Sequence, residues 1–317
     1  MRPLLIGTRA SDLAHWQAEF VQRALRTVLP DIETTLQNIT TRGDKNRTAP
    51  LHKLGEAGSF TSTIETALLE KRVDIAVHSL KDLPTRQPDG LVIAALPARE
   101  DPADALVSLP RRTLDSLPPG ARVLTSSLRR RAMVLRRRPD LRVLNIRGNV
   151  TSRLARLQAG AGEAIILAAA GLIRLGAETM IVERLDPTAF LPAPGQGALA
   201  VEIRSDDEEL AGLMQRIDDP IIRAAVTAER SMLAALKAGC HAPVGAYARF
   251  LEGGRVLTLT GGVLSVDGER SVYRWESVDC GGDPIAAAAL GVRVADELVA
   301  GGAAEILWAA AEWARKR

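Results

Sequence analysis

The chain holds 317 residues, 46% of them hydrophobic and 25% charged, with a formal net charge of +3. That composition excludes a disordered chain, and the length suits two or three domains large enough to bury real cores. The longest apolar run, residues 164–171, is far short of a membrane span, and the apolar run in MRPLLIG is too short for a signal peptide, so no membrane partner is expected.

Residues 3–7 (PLLIG) suit a strand, and 11–29 carry helical apolar spacing with Ser11 or Asp12 as N-cap. Residues 32–40 alternate like a strand. Residues 41–59 are polar and glycine-containing and read as a long mobile loop. A helix over 61–70 leads into a strand at 74–78. This alternation predicts a parallel or mixed sheet covered by helices. PAREDP (97–102) suits a crossover into a second α/β domain, where the pattern restarts: strand 121–125, helix from Leu128, strand 141–146, helix 150–159, strand 163–168. LPAPGQG (191–197) reads as the return crossover, after which 198–204 rejoins the first sheet. The expected fold is therefore α/β, with a first domain over 1–98 plus 198–218, a second over 103–192, and a hinged cleft between them. A helix from 220 to about 238, strand-like runs at 244–250, 255–261 and 271–278, and helices at 284–300 and 303–314 make a small C-terminal α+β domain over 220–317.

The polar chemistry gathers at strand ends. Of 41 basic residues, 35 are arginine, a side chain that grips planar anions through paired hydrogen bonds; composition bias accounts for most of the excess. Residues 121–160 alone hold eleven arginines and one acid, Asp140. Within them Thr125, Ser126, Ser127, Arg129 and Arg130 lie where a strand gives way to a helix. Arg147, Gly148 and Asn149 repeat that arrangement, with Arg153 about a turn into the next helix. Free N–H groups at such junctions favour anions, and ligands of open α/β sheets collect beyond the carboxyl ends of strands. Arg136, Arg137 and Arg138, at a helix end, read instead as a solvated basic face. The segment from Gly7 to Ser11, with Arg9, reads equally as a capped turn or as a further anion contact.

Three features stay open on residue type alone. In DIAVHSLKDLP (74–84) a buried strand runs into Lys81 and Asp82, and Asp82 is either a turn carboxylate or a member of the crevice. Cys240, in AGCHAPVG (238–245), is either a small buried hydrophobe or a thiol made nucleophilic beside His241. Cys280 has no such setting, and two cysteines in unlike contexts suggest no disulfide framework, which fits a reducing, cytoplasmic compartment. No nucleic-acid partner is expected, because the basic segment lacks interleaved aromatics and no zinc or helix-turn-helix pattern follows it. Discrete arginine sites facing one cleft suit a ligand with several carboxylates.

Taken in order, GTRAS (7–11), TRGD (41–44), DIAVHSLKDLP (74–84), REDPADALVS (99–108), TSSLRR (125–130), RGNV (147–150), AIILAAAGLIRLG (164–176), LPAPGQGALA (191–200) and TAERSMLAALKAGCHAPVG (227–245) resemble the porphobilinogen deaminase (hydroxymethylbilane synthase) family along almost the whole chain. The resemblance implies two lobes like the halves of a type II periplasmic binding protein, and a third domain bearing the cofactor cysteine on a loop. It implies a dipyrromethane held by a thioether at Cys240, four additions of porphobilinogen with loss of ammonia, and release of a linear tetrapyrrole by a monomeric transferase without a metal. Asp82 falls on the family's catalytic aspartate. A carboxylate there stabilises the methylene-pyrrole cation left by the departing amine and can move protons.

By the same resemblance Arg9, Ser11, Lys81, Ser127, Arg129, Arg130, Arg147, Arg153 and Arg174 hold the acetates and propionates of the growing chain. Phe60 and Gln196 line the cleft, and Thr125, Ser126, Gly148 and Asn149 complete the two strand-end clusters. His78 and Ser79 shape the turn before Lys81, Ser79 also counting among the cleft contacts. The chain departs from the family over 54–65, where Ala57 replaces a lysine and Ser62-Thr63 a basic–Glu pair; Asp12 stands where the first motif usually has proline. A non-catalytic, two-lobed carboxylate binder is the alternative expectation.

Overall fold

A computed structural model describes residues 2–39, 62–239 and 242–316. The expected 41–59 loop, Phe60, Cys240 and His241 lie outside them. In the first lobe β1 (Leu4–Thr8) and β2 (Thr34–Asn38) pair in parallel around α1 (Asp12–Val28). That helix buries Ala14, Ala18, Val21 and Leu25 along one face, and Ser11 caps it by accepting from the Ala14 N–H. Helix α2 (Ser62–Leu69) leads to β3 (Ile75–Ser79), parallel to β1, and then β4 (Leu91–Ala95). The second lobe runs β5 (Asp104–Ser108), β6 (Arg122–Leu124), α3 (Leu128–Arg137), β7 (Arg142–Leu144), α4 (Val150–Gln158), β8 (Ala164–Ala168), α5 (Ala169–Arg174) and β9 (Glu183–Leu185). The chain then returns through β10 (Leu199–Arg204) and α6 (Glu208–Gln215).

Both sheets follow one plan, β2-β1-β3-β10-β4 and β7-β6-β8-β5-β9. In each, three parallel strands are joined through helices, and a strand delivered directly by an interlobe crossover is inserted antiparallel beside the third. The two inserted strands, DALVS and LAVEIR, are buried along their whole length, as central strands covered on both faces must be. The crossovers themselves run side by side: Arg99 and Ala198 form an antiparallel bridge, the Glu100 N–H donates to the Gly197 carbonyl at 3.0 Å, and the Leu199 N–H to the Ala98 carbonyl at 3.0 Å.

The C-terminal unit is an antiparallel meander, β11 (Val244–Phe250), β12 (Val256–Leu264) and β13 (Ser271–Asp279), packed with α7 (Pro220–Ala235), α8 (Pro284–Ala300) and α9 (Ala303–Arg315). Buried Glu229 of α7 fastens it to the hinge. One carboxylate oxygen pairs with Arg99 at 2.9 Å and takes the Ala248 N–H at 2.8 Å, and the other takes the Gly195 N–H at 2.7 Å. Among the described residues no helix is long and apolar enough to cross a membrane.

Strands β4, β5 and β9 and helices α5 and α6 are absent from the sequence expectation. Each is short, and β5 and α5 lie almost wholly buried, so neither shows a polar face to set a period. The expected solvated basic face holds for Arg136 and Arg137, which are exposed in the last turn of α3, but all three arginines are also engaged. Arg137 pairs with Asp115, and Arg138 pairs with Asp140 at 2.6 Å and donates to the carbonyls of Leu114, Asp115 and Leu117. Arg136 lies 5.7 Å over the Tyr273 ring. The three arginines hold the loop before β6 and brace the C-terminal meander.

Gly197 has φ +87°, and a Cβ built on it would lie 2.2 Å from the Glu100 carbonyl oxygen across the paired crossovers. Gly197→Ala should therefore destabilise the fold by about 2–4 kcal/mol, read as a lower urea midpoint with an unchanged denaturant slope.

Candidate active site

β3 ends in a 3-10 turn, Leu80–Asp82. Residues three apart eclipse in such a turn, and Leu80 and Leu83 are both buried, so Lys81 and Asp82 between them turn away from that core. Lys81 is half-buried and Asp82 exposed. The turn is closed by the Leu83 N–H donating to the Leu80 carbonyl at 3.1 Å. Arg230 of α7 holds it from behind, donating to the carbonyls of Leu80, Leu83 and Pro84 at 3.4, 3.2 and 2.6 Å. The Ser79 hydroxyl accepts from Gln17 Nε2 at 2.8 Å and ties β3 to α1. His78, expected to shape the turn, instead faces Glu202 of β10 inside the sheet, 3.2 Å away, with both side chains buried.

Opposite this turn, β5 brings in Asp104, which has no solvent exposure. One of its oxygens accepts from Arg129 Nη1 at 2.6 Å, and the other from Arg130 Nη2 at 2.7 Å and Gln196 Nε2 at 2.9 Å. Arg129 also donates to the Leu191 carbonyl at 2.6 Å, and Arg130 to the Ile166 carbonyl at 3.2 Å. The Gln196 Oε1, turned the other way, accepts from Lys81 Nζ at 3.1 Å. Burial alone would push Asp104 up, but the charges and hydrogen bonds of Arg129 and Arg130 outweigh it and hold the carboxyl well below the usual range. Burial, followed by the charge of Arg130, pushes the Lys81 ammonium down to about 8 against the pull of Asp82 and Asp104.

The remaining cations come from the second lobe. Arg153 Nε donates to the Gly148 carbonyl at 2.7 Å, and burial and Arg130 push its guanidinium down to about 10, with Asp82 opposing. Burial also lowers Arg147, whose Nη1 is buried without a hydrogen-bond partner among the described residues. Gly148 takes φ +113°, a conformation suited to glycine, in the turn before α4. Arg174 of α5 donates from Nη2 to the Gly197 carbonyl at 2.6 Å, and its buried Nε has no hydrogen-bond partner among the described residues.

The hydroxyl and amide side chains of the strand-end clusters are engaged locally. Ser127 caps α3 by accepting from the Arg130 N–H, and Asn149 caps α4 by accepting from the Ser152 N–H at 2.8 Å. Thr125 accepts from the Ser127 N–H at 3.2 Å and Ser126 from the Ile146 N–H at 3.1 Å. Arg9 and Ser11 stand at the end of β1. The fold thus brings Lys81, Asp82, Arg130, Arg153 and Gln196 into one electrostatic neighbourhood, with Arg147 beside it. It turns Arg129 and Arg130 first toward a carboxylate of the protein itself.

Sequence reasoning overlooked Asp104 and Arg230. Asp104 had a signal, an acid set inside the apolar run of REDPADALVS. Arg230 had none, because its partners are backbone carbonyls distant in sequence.

Buried guanidinium N–H groups without partners, beside a lysine that burial has made reluctant to hold its charge, suit a ligand with several carboxylates, as a dipyrromethane is. Fold and site together define a two-lobed α/β protein with a cationic cleft and a single clamped turn presenting one carboxylate. Known sequences carry the assignment further. A family profile for porphobilinogen deaminase, dipyromethane cofactor binding domain, matches residues 4–212, and one for the porphobilinogen deaminase C-terminal domain matches 223–300. Porphobilinogen deaminase of Acidithiobacillus ferrooxidans (strain ATCC 53993) is 50% identical over 304 residues, 96% of this chain and 97% of that one. The Brevibacillus brevis protein of the same name is 46% identical over 302 residues, 95% of this chain and 96% of that one. The VFT2 domain of Bordetella pertussis BvgS aligns with a TM-score of 0.41 at 13% identity, over 68% of this chain and 85% of that one. The chain belongs to the porphobilinogen deaminase family.

Asp104→Asn should leave Arg129 and Arg130 buried beside each other without a counter-charge. The expected loss is about 3–5 kcal/mol of stability, read as a lower melting temperature.

Proposed function

We propose that this chain polymerises porphobilinogen, joining four molecules head to tail with loss of four ammonia molecules; one water then supplies the terminal hydroxyl as the bond to the primer breaks, giving the linear tetrapyrrole hydroxymethylbilane. The observation that carries the reading is Asp82, an exposed carboxylate on a clamped turn, flanked by Lys81 and Arg153, in a chain of this family. A site that merely bound polycarboxylates would gain nothing from a carboxylate at its centre, where it repels the ligand. One that must balance a positive charge developing on a pyrrole needs it there.

In each addition the C–N bond of the substrate's aminomethyl group breaks, ammonia leaves, a C–C bond forms, and a proton leaves the attacking ring carbon. Asp82 accepts a hydrogen bond from a pyrrole N–H, balances the charge that appears as ammonia departs, and takes up the proton. Lys81, Arg147, Arg153 and Arg174 bind the acetate and propionate groups, with Arg9, Ser11, Phe60 and the N–H groups following Thr125–Ser127 and Gly148–Asn149 as further contacts. Arg129, Arg130 and Gln196 act from behind Asp104, raising the local positive potential and aiming Lys81. The dipyrromethane, joined through a thioether at Cys240, supplies when bound the free pyrrole carbon to which the first substrate is added. A monomer working in the cytoplasm is the state this reading favours, in keeping with a biosynthetic enzyme family.

Intact mass spectrometry should find an excess equal to two pyrrole units, absent from Cys240→Ser. Asp82→Asn should keep the fold and that excess while lowering turnover by about 100-fold or more. Bare sequence mass, together with no consumption of porphobilinogen, would sink the proposal.

Lys81 is charged below its lowered pKa and neutral above it, and a bound carboxylate favours the charged form. The KM for porphobilinogen should therefore rise several-fold as pH climbs through about 8, and Lys81→Arg, which stays charged, should flatten that rise. The same depressed pKa means that the free fold gains stability between about pH 8 and the ordinary lysine value of 10.5, where the unfolded chain holds more protons.

A further inference from the structure

Helix α1 belongs to the first lobe, yet its first turn lies against the second. Thr151, at the start of α4, donates from its hydroxyl to Asp12 at 3.2 Å. Leu13 comes close to Gly171 of α5, where an added Cβ would lie 3.8 Å from Leu13 Cδ2. One turn further along, the half-buried Trp16 ring lies 5.5 Å from the guanidinium carbon of Arg174. That ring is itself stacked on Phe20, with centroids 5.6 Å apart and planes 19° from parallel.

Arg174 is buried. The backbone of the return crossover takes its Nη2, and its Nε has no hydrogen-bond partner among the described residues. Its guanidinium is therefore held at one edge by the hinge and against an aromatic ring by the opposite lobe. The unmatched Nε edge remains for a carboxylate.

We infer that Trp16 is a positioning residue for Arg174, setting the guanidinium plane across the lobe boundary. The Phe20 stack holds the ring and the Asp12–Thr151 hydrogen bond holds the turn that carries it. The inference rests on the reading of Arg174 as a carboxylate contact. A leucine at position 16 would fill much of the space but offers no π face to a cation, whereas phenylalanine keeps a weaker one. Because the two partners sit on different lobes, the aim of Arg174 follows the setting of the lobes.

The test compares Trp16→Leu, Trp16→Phe, Arg174→Met and the Trp16→Leu/Arg174→Met double variant of the cofactor-loaded enzyme, by thermal unfolding and by steady-state kinetics. Trp16→Leu should raise the KM for porphobilinogen by about 5- to 30-fold with kcat within about threefold, and Trp16→Phe should stay within about threefold of the parent in KM. In the Arg174→Met background Trp16→Leu should add no further rise, and the melting-temperature losses of the two single variants should not add in the double variant. Additive losses, or an unchanged KM in Trp16→Leu while Arg174→Met raises it, would reduce Trp16 to packing and overturn the inference. An unchanged KM in Arg174→Met would overturn it together with the role given to that arginine. Failure of every protein, parent included, to consume porphobilinogen would instead defeat the proposed function, while the unfolding cycle still decides the pairing. If Trp16→Leu does not fold, Trp16→Met, which also lacks a π face, replaces it in the same cycle with the same expected and overturning results.

Discussion

A carboxylate with no solvent exposure in the middle of a sheet is tolerated only when opposite charge and hydrogen bonds surround it. Asp104 is such a group, and the site is arranged around it. Arg129 and Arg130 reach it from the first turn of α3, and Gln196 reaches it from the return crossover. The far side of Gln196 then holds Lys81, the residue beside Asp82. One buried charge thereby fixes the relative positions of a strand, a helix start, a hinge and a turn from the other lobe. The two arginines at the α3 N-terminus answer to the protein's own carboxylate first, and their charge is felt in the cleft through its effect on Lys81 and Arg153.

The consequence is a cleft in which cations outnumber the acids facing them. Burial makes charge on Lys81, Arg147, Arg153 and Arg174 less favourable than it would be in water. The free protein holds that unfavourable arrangement in place through its packing, and an incoming carboxylate relieves it. Binding then needs little reorientation of the protein, because the guanidinium groups are already fixed by backbone carbonyls such as Gly148 and Gly197.

Much of this was legible in the sequence, and for identifiable reasons. Helices with one apolar face and a capping residue, such as α1 behind Ser11, announce themselves through spacing. Lys81 and Asp82 stood out because a charged pair followed a buried run, and Leu80 and Leu83 explain why the pair points outward. β5 has no solvent face, carries no period and was invisible, whereas β10, equally buried, was legible from the crossover that precedes it. Arginine function was the least legible. Arg129, Arg138 and Arg147 look alike in sequence, yet one is locked to Asp104, one pins a loop through carbonyls, and one keeps an unmatched N–H. Only tertiary placement separates those roles.

If Asp82 acts as proposed, the C-terminal unit explains how one carboxylate serves repeated additions. Arg230 grips three carbonyls of the Asp82 turn, and Glu229, its neighbour on the same helix, grips both crossovers. The turn is thus fixed relative to the hinge and cannot travel toward a lengthening product. What can change is the other edge, where among the described residues α1 meets the second lobe through a hydrogen bond, an apolar contact of Leu13 and a ring–guanidinium contact. Parting that edge breaks little, whereas parting the hinge would break paired backbone hydrogen bonds and a buried ion pair. Under the proposed function, a ligand that grows by one carboxylated ring at a time would slide past a stationary Asp82. The arginines proposed as its carboxylate contacts, from Arg147 to Arg174, would meet it in succession, while the loosely held edge yields to its bulk.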